Sequence, residues 1–247
     1  MAFVALCVSV VTMAAEQNRN INLMSYNVRN CIGMDGMVSV DRVAEVITRN
    51  SPEVIALQEL DSVTGRSGGR YVLGEIAAMC GMKHFYAPAI DYDGGKYGIG
   101  ILCKDTPISV SQYALPGAEE ARTLLVLEFS DYVFASTHLS LTDSDCRASV
   151  DIIRDIAGKS SKPFLIAGDF NAHPDSEVMK DFEKDFTPLS DTGLLTFPAD
   201  SPVETLDYIL LYNPDKKPVM VNAAAVVDEP VASDHRPVAV SVAVSAL

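Results

Sequence analysis

Two short segments near the end of the chain carry polar and ionisable side chains beside apolar stretches. Residues 168–174 read GDFNAHP and directly follow the apolar Ile166 and Ala167, while residues 233–237 read SDHRP and precede Val238. Burying Asp, Asn or His without a partner costs several kcal/mol, so these groups need water or one another. Carboxylates and imidazoles are also the groups that move protons and bind metals in active sites. The two segments therefore predict a chemical site at the tips of strands.

Four further segments place a polar side chain where an apolar run stops or starts. Asn27 lies in SYNVRN, Glu59 in LQEL, His138 in STHLSL and Asp207 in TLDYILL. Taken singly, Asn27 is an ordinary turn former, Glu59 an ordinary surface carboxylate and His138 an ordinary interior histidine. Asp207 is harder to explain in this way, because a carboxylate inside an apolar run needs a partner. Together the segments are typical of an active site built at one edge of a sheet, and they contain or adjoin three of the four histidines, namely His138, His173 and His235.

The elements that must position these residues are mostly strands. The first half alternates strand, helix and strand, and from His84 onward short apolar runs are separated by Gly, Pro and Asp turns. Strands are predicted over residues 21–26, 54–57, 97–103, 108–113, 124–129, 132–136, 163–167, 206–211, 219–227 and 237–244, and helices around 43–47, 73–80 and 145–157. Many strands with a few interspersed helices predict two packed sheets with helices outside.

Composition favours one large folded domain, although two small ones would also fit 247 residues. Hydrophobic residues make up 48% and charged residues 21%, and no linker or repeat divides the chain. The formal net charge is −14, which repels polyanions and counts against a nonspecific DNA-binding protein. It does not exclude a cleft in which a metal ion reverses the local field. Trp is absent and aromatic residues make up 7%, so few platforms exist for stacking nucleic-acid bases.

The first fifteen residues, MAFVALCVSVVTMAA, predict a secretory signal peptide, with one domain over residues 16–247. The run is apolar and ends in small residues, but it lacks a basic start, so a membrane anchor or a buried strand remains an alternative. It is short for a transmembrane helix. The expected location is therefore extracellular or periplasmic. Outside this segment, Cys31, Cys80, Cys103 and Cys146 have no metal-ligand spacing, and either disulfide pairing or buried free thiols fits them.

The series SYN, LQE, THLSL, GDFNAHP, LDYIL and SDHRPV, in that order, resembles the endonuclease/exonuclease/phosphatase superfamily, which has the deoxyribonuclease-I-like fold. The resemblance spans roughly residues 21–245. It implies an α/β (α+β) fold in which two mainly antiparallel or mixed sheets, flanked by helices, form a four-layer α/β/β/α sandwich. It also implies a metal-dependent phosphoesterase that uses Mg²⁺ or Mn²⁺.

The same resemblance implies a role for each motif residue. Glu59 is expected to bind the metal with Asn27 beside it, and Asp234 is a further candidate ligand. Oxygen ligands of this kind suit a hard cation such as Mg²⁺.

The catalytic roles that the resemblance implies fall on the remaining motif residues. His235 is expected to contact the scissile phosphate or act as the general base, and Asp207 fixes its tautomer. Asp169 is expected to orient or activate the attacking water, while Asn171 and His138 donate to phosphate oxygens. Whether Asp169 or His235 takes the proton from water stays open.

Two arginines are candidate substrate contacts outside the motifs. Arg122 lies in EEARTLL, where a salt bridge with Glu119 or Glu120 is an equally good interpretation. Arg66 lies in GRSGGR, a flexible basic stretch that follows Glu59 and could reach a substrate phosphate.

The sequence thus predicts a monomeric, exported, metal-dependent phosphoester hydrolase in which water attacks directly. A small or lipid-derived phosphoester is the favoured substrate because of the acidic charge. A secreted nuclease acting on DNA or RNA is the direct alternative, and it would lose activity steeply as salt rises. A catalytically inactive binding module is the second alternative, but it would have no need of the Asp207 and His235 pair.

Overall fold

The computed structural model describes residues 18–217 and 219–245, and the leader predicted for residues 1–15 lies outside this part of the chain. The strands in the described residues are β1 (Asn18–Asn27), β2 (Val54–Ser62), β3 (Lys83–Tyr92), β4 (Gly95–Cys103), β5 (Ser109–Leu115), β6 (Arg122–Glu128), β7 (Val133–His138), β8 (Phe164–Asp169), β9 (Phe186–Pro188), β10 (Asp207–Tyr212), β11 (Met220–Val226) and β12 (Val238–Ser245). The α-helices are α1 (Val40–Asn50), α2 (Val72–Cys80), α3 (Asp143–Ala157) and α4 (Glu177–Glu183). A short 3₁₀ turn covers Arg29–Cys31.

The strands form two six-stranded mixed sheets. The first has the order β11-β12-β1-β2-β4-β3 and the second β5-β6-β7-β8-β10-β9. Each sheet contains one parallel pair, β1 with β2 and β7 with β8, and its other neighbours are antiparallel. The carboxyl ends of β1 and β2 therefore lie together, as do those of β7 and β8.

Strand alternation explains why the sheets stack into four layers. Along β1, Ile21 and Leu23 belong to the apolar cluster between the two sheets, whereas Met24 and Tyr26 pack on the opposite face toward α1 and α2. The second sheet packs its outer face against α3 and α4. The predicted α/β/β/α sandwich is confirmed. None of the helices within the described residues has the length and apolar character needed to cross a bilayer.

Local signals fix both ends of α1 and the start of α4. The Ser39 hydroxyl accepts from the Arg42 backbone N–H at the start of α1, and the helix ends at Ser51 in the left-handed region before Pro52. The seven-residue α4 has a similar cap at Ser176. The sequence pattern did not predict α4 or the three-residue β9, because both are too short for a periodic signal. It also gave no separate strand for β3, where Pro88 interrupts the run.

The four cysteines of the domain are free thiols. Cys31, Cys103 and Cys146 are buried, and Cys80 is half-buried between α1 and α2. Of the two interpretations that the sequence allows, the structure therefore shows free thiols.

Candidate active site

All six polar segments that the sequence singles out meet at one end of the sandwich. Asn27, His138 and Asp169 end β1, β7 and β8, while Asp207 begins β10. Because β8 and β10 are antiparallel, Asp169 and Asp207 are directly paired. His138 is in turn paired with Asp169 across the parallel β7–β8 ladder. The topology thus brings residues far apart in sequence to one sheet edge.

Asn27 joins the two sheets at this end. Its fully buried amide Nδ2 donates to Glu59 Oε1 and to Asp169 Oδ2, both at 3.0 Å. Glu59 lies where the register of β2 against β4 shifts, and its φ of 60° is in the left-handed region. Such a conformation costs roughly 1–3 kcal/mol for a residue other than glycine. A bulge beside an active site commonly serves to re-aim a side chain, and here it coincides with the Glu59 contact to Asn27.

Asp207 and His235 form a buried pair. Asp207 Oδ2 lies 2.8 Å from His235 Nδ1, and the two residues are 1% and 6% exposed. Burial opposes protonation of His235, but the charges of Asp207 and Asp169 and the hydrogen bond to Asp207 outweigh it and raise the pKa to about 10. The imidazolium therefore persists at neutral pH. Asp207 accepts a hydrogen bond from the Nδ1–H group of His235, so the Nε2 atom of His235 faces the site.

Asp169 is the point on which both histidines converge. The Nε2 atoms of His138 and His235 each lie 3.6 Å from Asp169 Oδ2, the oxygen that also accepts from Asn27. Burial lowers the pKa of His138 to about 4, against the opposing effect of Asp169. The two histidines therefore differ in charge at neutral pH, with His235 protonated and His138 neutral. Environments that push two pKa values apart are typical of acid–base sites.

The segment that carries Asp234 and His235 is tied to the end of β1. The buried Ser233 hydroxyl donates to the Asn27 carbonyl at 2.7 Å, and Asp234 Oδ2 lies 3.3 Å from Arg29 Nε. The Arg29 backbone N–H donates to Asn27 Oδ1 at 3.1 Å. These contacts fix the position of His235 relative to Asn27.

The donor set fits a hard divalent cation. Burial raises the pKa of Glu59, the Asn27 hydrogen bond opposes this, and the charges of Asp234 and Asp169 raise it further. Carboxylates that repel one another in this way are stabilised by a cation, and oxygen ligands are the preference of Mg²⁺ and Mn²⁺. A second grouping consists of Asp169, Asp207 and His235, whose ligand atoms lie within 4.8 Å of one another.

The buried Oδ1 of Asp207 has no hydrogen-bond partner among the described residues, so a water molecule, an ion or the substrate is expected to satisfy it. A cation at this second grouping would be compatible with the 2.8 Å hydrogen bond only through Asp207 Oδ1 and His235 Nε2. Glu59 with Asn27 and this grouping are both candidate cation sites.

The other predicted site residues have protein partners of their own. The Asn171 Nδ2 donates to the Leu139 carbonyl at 2.9 Å, so one of its two N–H groups is used within the fold. Arg122 is 7% exposed and pairs with Glu120 at 3.1 Å and Glu119 at 3.6 Å, as the salt-bridge interpretation expects. Its buried Nε has no partner within the described residues.

Arg66 forms a two-point ion pair with Asp61, which is 1% exposed. The substrate-contact roles of Asn171, Arg122 and Arg66 stay predictions.

Sequence reasoning missed three neighbours of the site. The half-buried Phe197 ring packs against the His235 ring with centroids 4.8 Å apart, and Arg29 and Ser233 hold the segment around Asp234. Ser233 and Arg29 lie inside the quoted motifs SDHRP and SYNVRN, so proximity along the chain was an available signal. Phe197 lies ten residues before Asp207 in a loop, and nothing in its local pattern indicates the contact.

Comparison with known proteins gives a consistent result. A family model described as "Endonuclease/Exonuclease/phosphatase family" matches residues 24–235. No curated protein matches the chain in sequence. A solved structure of a protein of that family from Bacteroides thetaiotaomicron is 15% identical, with a TM-score of 0.73, over 92% of this chain and 98% of that one.

Two other similar structures have named activities or domains. A mannosyl-6-phosphatase from Bacteroides thetaiotaomicron VPI-5482 is 15% identical, with a TM-score of 0.71, over 90% of this chain and 99% of that one. The human nocturnin catalytic domain is 19% identical, with a TM-score of 0.68, over 92% and 95%. At these identities the likeness establishes the fold.

Proposed function

Because the chain belongs to the endonuclease/exonuclease/phosphatase family, whose members are phosphoester hydrolases, we propose that it hydrolyses a phosphoester in a reaction that requires Mg²⁺ or Mn²⁺. The observation that carries this proposal is the convergence of His235 and His138 on Asp169, with Asp207 behind His235. A module that only binds ligands has no use for a buried carboxylate–imidazolium pair of this kind.

The chain's own residues can accept the proton of the attacking water and stabilise charge on the phosphoryl group, and the leaving oxygen takes its proton from solvent. His235 is protonated at neutral pH, so it acts as a donor to a phosphoryl oxygen and stabilises negative charge that develops there. A protonated imidazole cannot also accept the proton of water. Asp169 is therefore the proposed acceptor, and its contact with Asn27 orients the carboxylate. We expect water to attack directly, with His138 as a neutral donor to a second oxygen.

Glu59, Asn27 and Asp234 are the residues proposed to hold the cation. When bound, a divalent ion neutralises charge on the phosphoryl oxygens and positions the substrate. The contact of Asn27 with both Glu59 and Asp169 places the proposed cation ligand next to the proposed base.

A small or lipid-derived phosphoester is the proposed substrate class. The net charge of −14 opposes the approach of a polyanion, and the named phosphatase among the similar structures supports phosphoester hydrolysis on this fold. A nuclease is the rival activity. It would make several phosphate contacts and lose affinity steeply between 50 and 200 mM salt, on the order of 10³-fold or more.

The test is a substrate panel measured with Mg²⁺ and with EDTA, at low and high salt. The panel contains p-nitrophenyl phosphate, bis(p-nitrophenyl) phosphate, inositol phosphates, sphingomyelin, RNA and duplex DNA. We expect metal-dependent cleavage of a small or lipid-derived ester with a weak salt response. Salt-sensitive cleavage of RNA or DNA alone would establish the nuclease instead. No cleavage by folded protein that binds Mg²⁺ would favour a binding module.

A further inference from the structure

Five residues beside the proposed cation ligands form a second polar site that the proposed catalysis does not use. We name it the Arg66 cluster, and it consists of Asn30, Asp61, Arg66, Tyr92 and Tyr97. Asn30 follows the end of β1 three residues after Asn27, and Asp61 lies in β2 two residues after Glu59. The charges of both Glu59 and Arg66 act on the Tyr97 hydroxyl, with opposite effects on its pKa. The cluster therefore lies next to the Glu59 end of the catalytic site.

Arg66 is held rigidly at the centre of the cluster. Its Nε and Nη2 donate to the two Asp61 carboxylate oxygens at 2.7 and 2.8 Å, and Nη2 also donates to Asn30 Oδ1 at 2.7 Å. The guanidinium lies over the Tyr92 ring at 4.4 Å and near the Tyr97 ring at 5.4 Å. A bidentate carboxylate pair with aromatic stacking fixes an arginine in one orientation.

The charge of the cluster argues against a second phosphate as its ligand. Asp61 is almost fully buried and neutralises Arg66, and Asp93 adds a further carboxylate that accepts from the Arg66 backbone N–H at 2.6 Å. A planar base is also disfavoured, because the guanidinium already covers one face of Tyr92.

Several hydrogen-bonding groups remain available at the cluster. Within residues 18–217 and 219–245, Asn30 Nδ2 has no protein partner, and Arg66 Nη1 makes only a 3.4 Å contact to the Tyr92 hydroxyl. The two tyrosine hydroxyls can both donate and accept. Tyr92 is 40% exposed and also lines a surface cavity of about 540 Å³ with hairpin residues 91–96. A site with no excess positive charge, with mixed donors and acceptors and with exposed aromatic edges, suits a ligand rich in hydroxyl groups.

We propose that the Arg66 cluster binds the polyol portion of the substrate, so that the preferred phosphoesters are those of a sugar or cyclitol. This inference rests on the proposed function and names the substrate class within it. Tyr92 and Asn30 are its specificity-determining residues, because they are the members with exposed or unused hydrogen-bonding groups. Asp61 and Arg66 position them.

The test compares kcat/KM for a hexose 6-phosphate and an inositol phosphate with that for p-nitrophenyl phosphate and phenyl phosphate, which lack a polyol. The variants are Tyr92→Ala and Asn30→Gly. Glycine is chosen because the φ of 51° at Asn30 is in the left-handed region. Tyr113→Ala is the matched control, since Tyr113 is 39% exposed on β5. Replacing Arg66 is avoided, because Asp61 would be left buried without its partner.

The expected result is that the polyol-to-aryl ratio of kcat/KM falls about 5- to 10-fold in Tyr92→Ala and in Asn30→Gly, mainly through KM, and stays constant in Tyr113→Ala. An unchanged ratio, or equal losses on both substrate types, would overturn the polyol site and leave phosphoester hydrolysis standing. Failure of folded, Mg²⁺-loaded wild type to cleave any ester would overturn the proposed function and this inference together.

Discussion

Replacing Asp207 with asparagine removes the negative charge beside His235 and keeps the shape of the Asp207 side chain. In the wild type, Asp207 makes the strongest of the contributions that raise the pKa of His235 to about 10. The neutral amide removes that charge, so the pKa of His235 must fall, although Asp169 still favours the imidazolium. Asparagine can also donate to Nδ1 and so select the wrong tautomer, since the 2.8 Å contact leaves no room for an intervening group.

The size of the effect on kcat follows from the role proposed for His235 in the reaction. Loss of a positioned, charged donor to the phosphoryl oxygen, together with the wrong tautomer, costs about 10²- to 10⁴-fold in kcat. The wild-type rate should hold through neutral pH and fall as pH rises through the alkaline pKa of His235. In Asp207→Asn this fall moves to lower pH. A cation bound at Glu59 lowers the pKa of His235 in both proteins and preserves the direction of the difference.

The pH dependence of the free energy of unfolding tests the Asp207–His235 pair independently of activity. Because the folded pKa of His235 is above the unfolded value of 6.5, its ionisation stabilises the fold fully below pH 6.5, and this contribution is lost as pH rises toward 10. The difference in the free energy of unfolding between wild type and Asp207→Asn should therefore shrink across that interval.

The assay is kcat against pH for wild type, Asp207→Asn and the exposed control Asp155→Asn on α3, with urea unfolding in EDTA at matched pH. An Asp207→Asn enzyme that keeps a rate within about threefold of wild type and an unmoved alkaline limb would refute the assignment of protonated His235 as the donor to the phosphoryl oxygen.

Three further perturbations test other parts of the site. Glu59→Gln should raise the Mg²⁺ concentration needed for half-maximal rate by at least about tenfold. It should also raise the Tm of the metal-free protein, because the buried carboxylate has a raised pKa and its ionisation opposes folding. A lower metal-free Tm with unchanged Mg²⁺ dependence would contradict this. The wild type should lose stability, at most about 3 kcal/mol, as pH falls from 6.5 to 4, because His138 is protonated in the unfolded chain but stays neutral when buried in the fold. His138→Gln should remove this loss. Urea unfolding in EDTA over this range measures it, and parallel curves for the two proteins would count against a buried neutral His138. Phe197→Ala should lower kcat about tenfold with little change in KM, because the ring packs against His235 at 4.8 Å; steady-state kinetics decide it, and a change confined to KM would assign Phe197 to substrate binding instead.

Much of the fold was predictable because strand periodicity and turn residues are local signals. The apolar run around Asp207 indicated a buried carboxylate in need of a partner, and the structure places His235 at that position. The convergence of strand ends followed from the same logic, since polar residues at the tips of buried strands must share one edge. The resemblance of six ordered motifs added the layer architecture, which the two six-stranded sheets confirm.

The remaining features depend on contacts between distant segments. The bulge at Glu59 depends on pairing with β4, some forty residues later, and no turn residue marks it. The contact of Phe197 with His235 joins two loops. The Arg66 cluster gathers side chains from the 3₁₀ turn, β2, the loop after β2, β3 and β4. Single-sequence patterns report on neighbours three or four residues apart, so such contacts stay invisible until the chain is folded.

The most direct test of the account is hydrolysis of p-nitrophenyl phosphate and bis(p-nitrophenyl) phosphate by wild type and His235→Ala, each with Mg²⁺ and with EDTA, after circular dichroism has shown that both are folded. We predict cleavage by wild type that EDTA abolishes and Mg²⁺ restores, and a rate that is lower by about 10²-fold or more in His235→Ala. Cleavage that survives EDTA, or that His235→Ala retains in full, would contradict a metal-dependent reaction centred on Asp169 and His235.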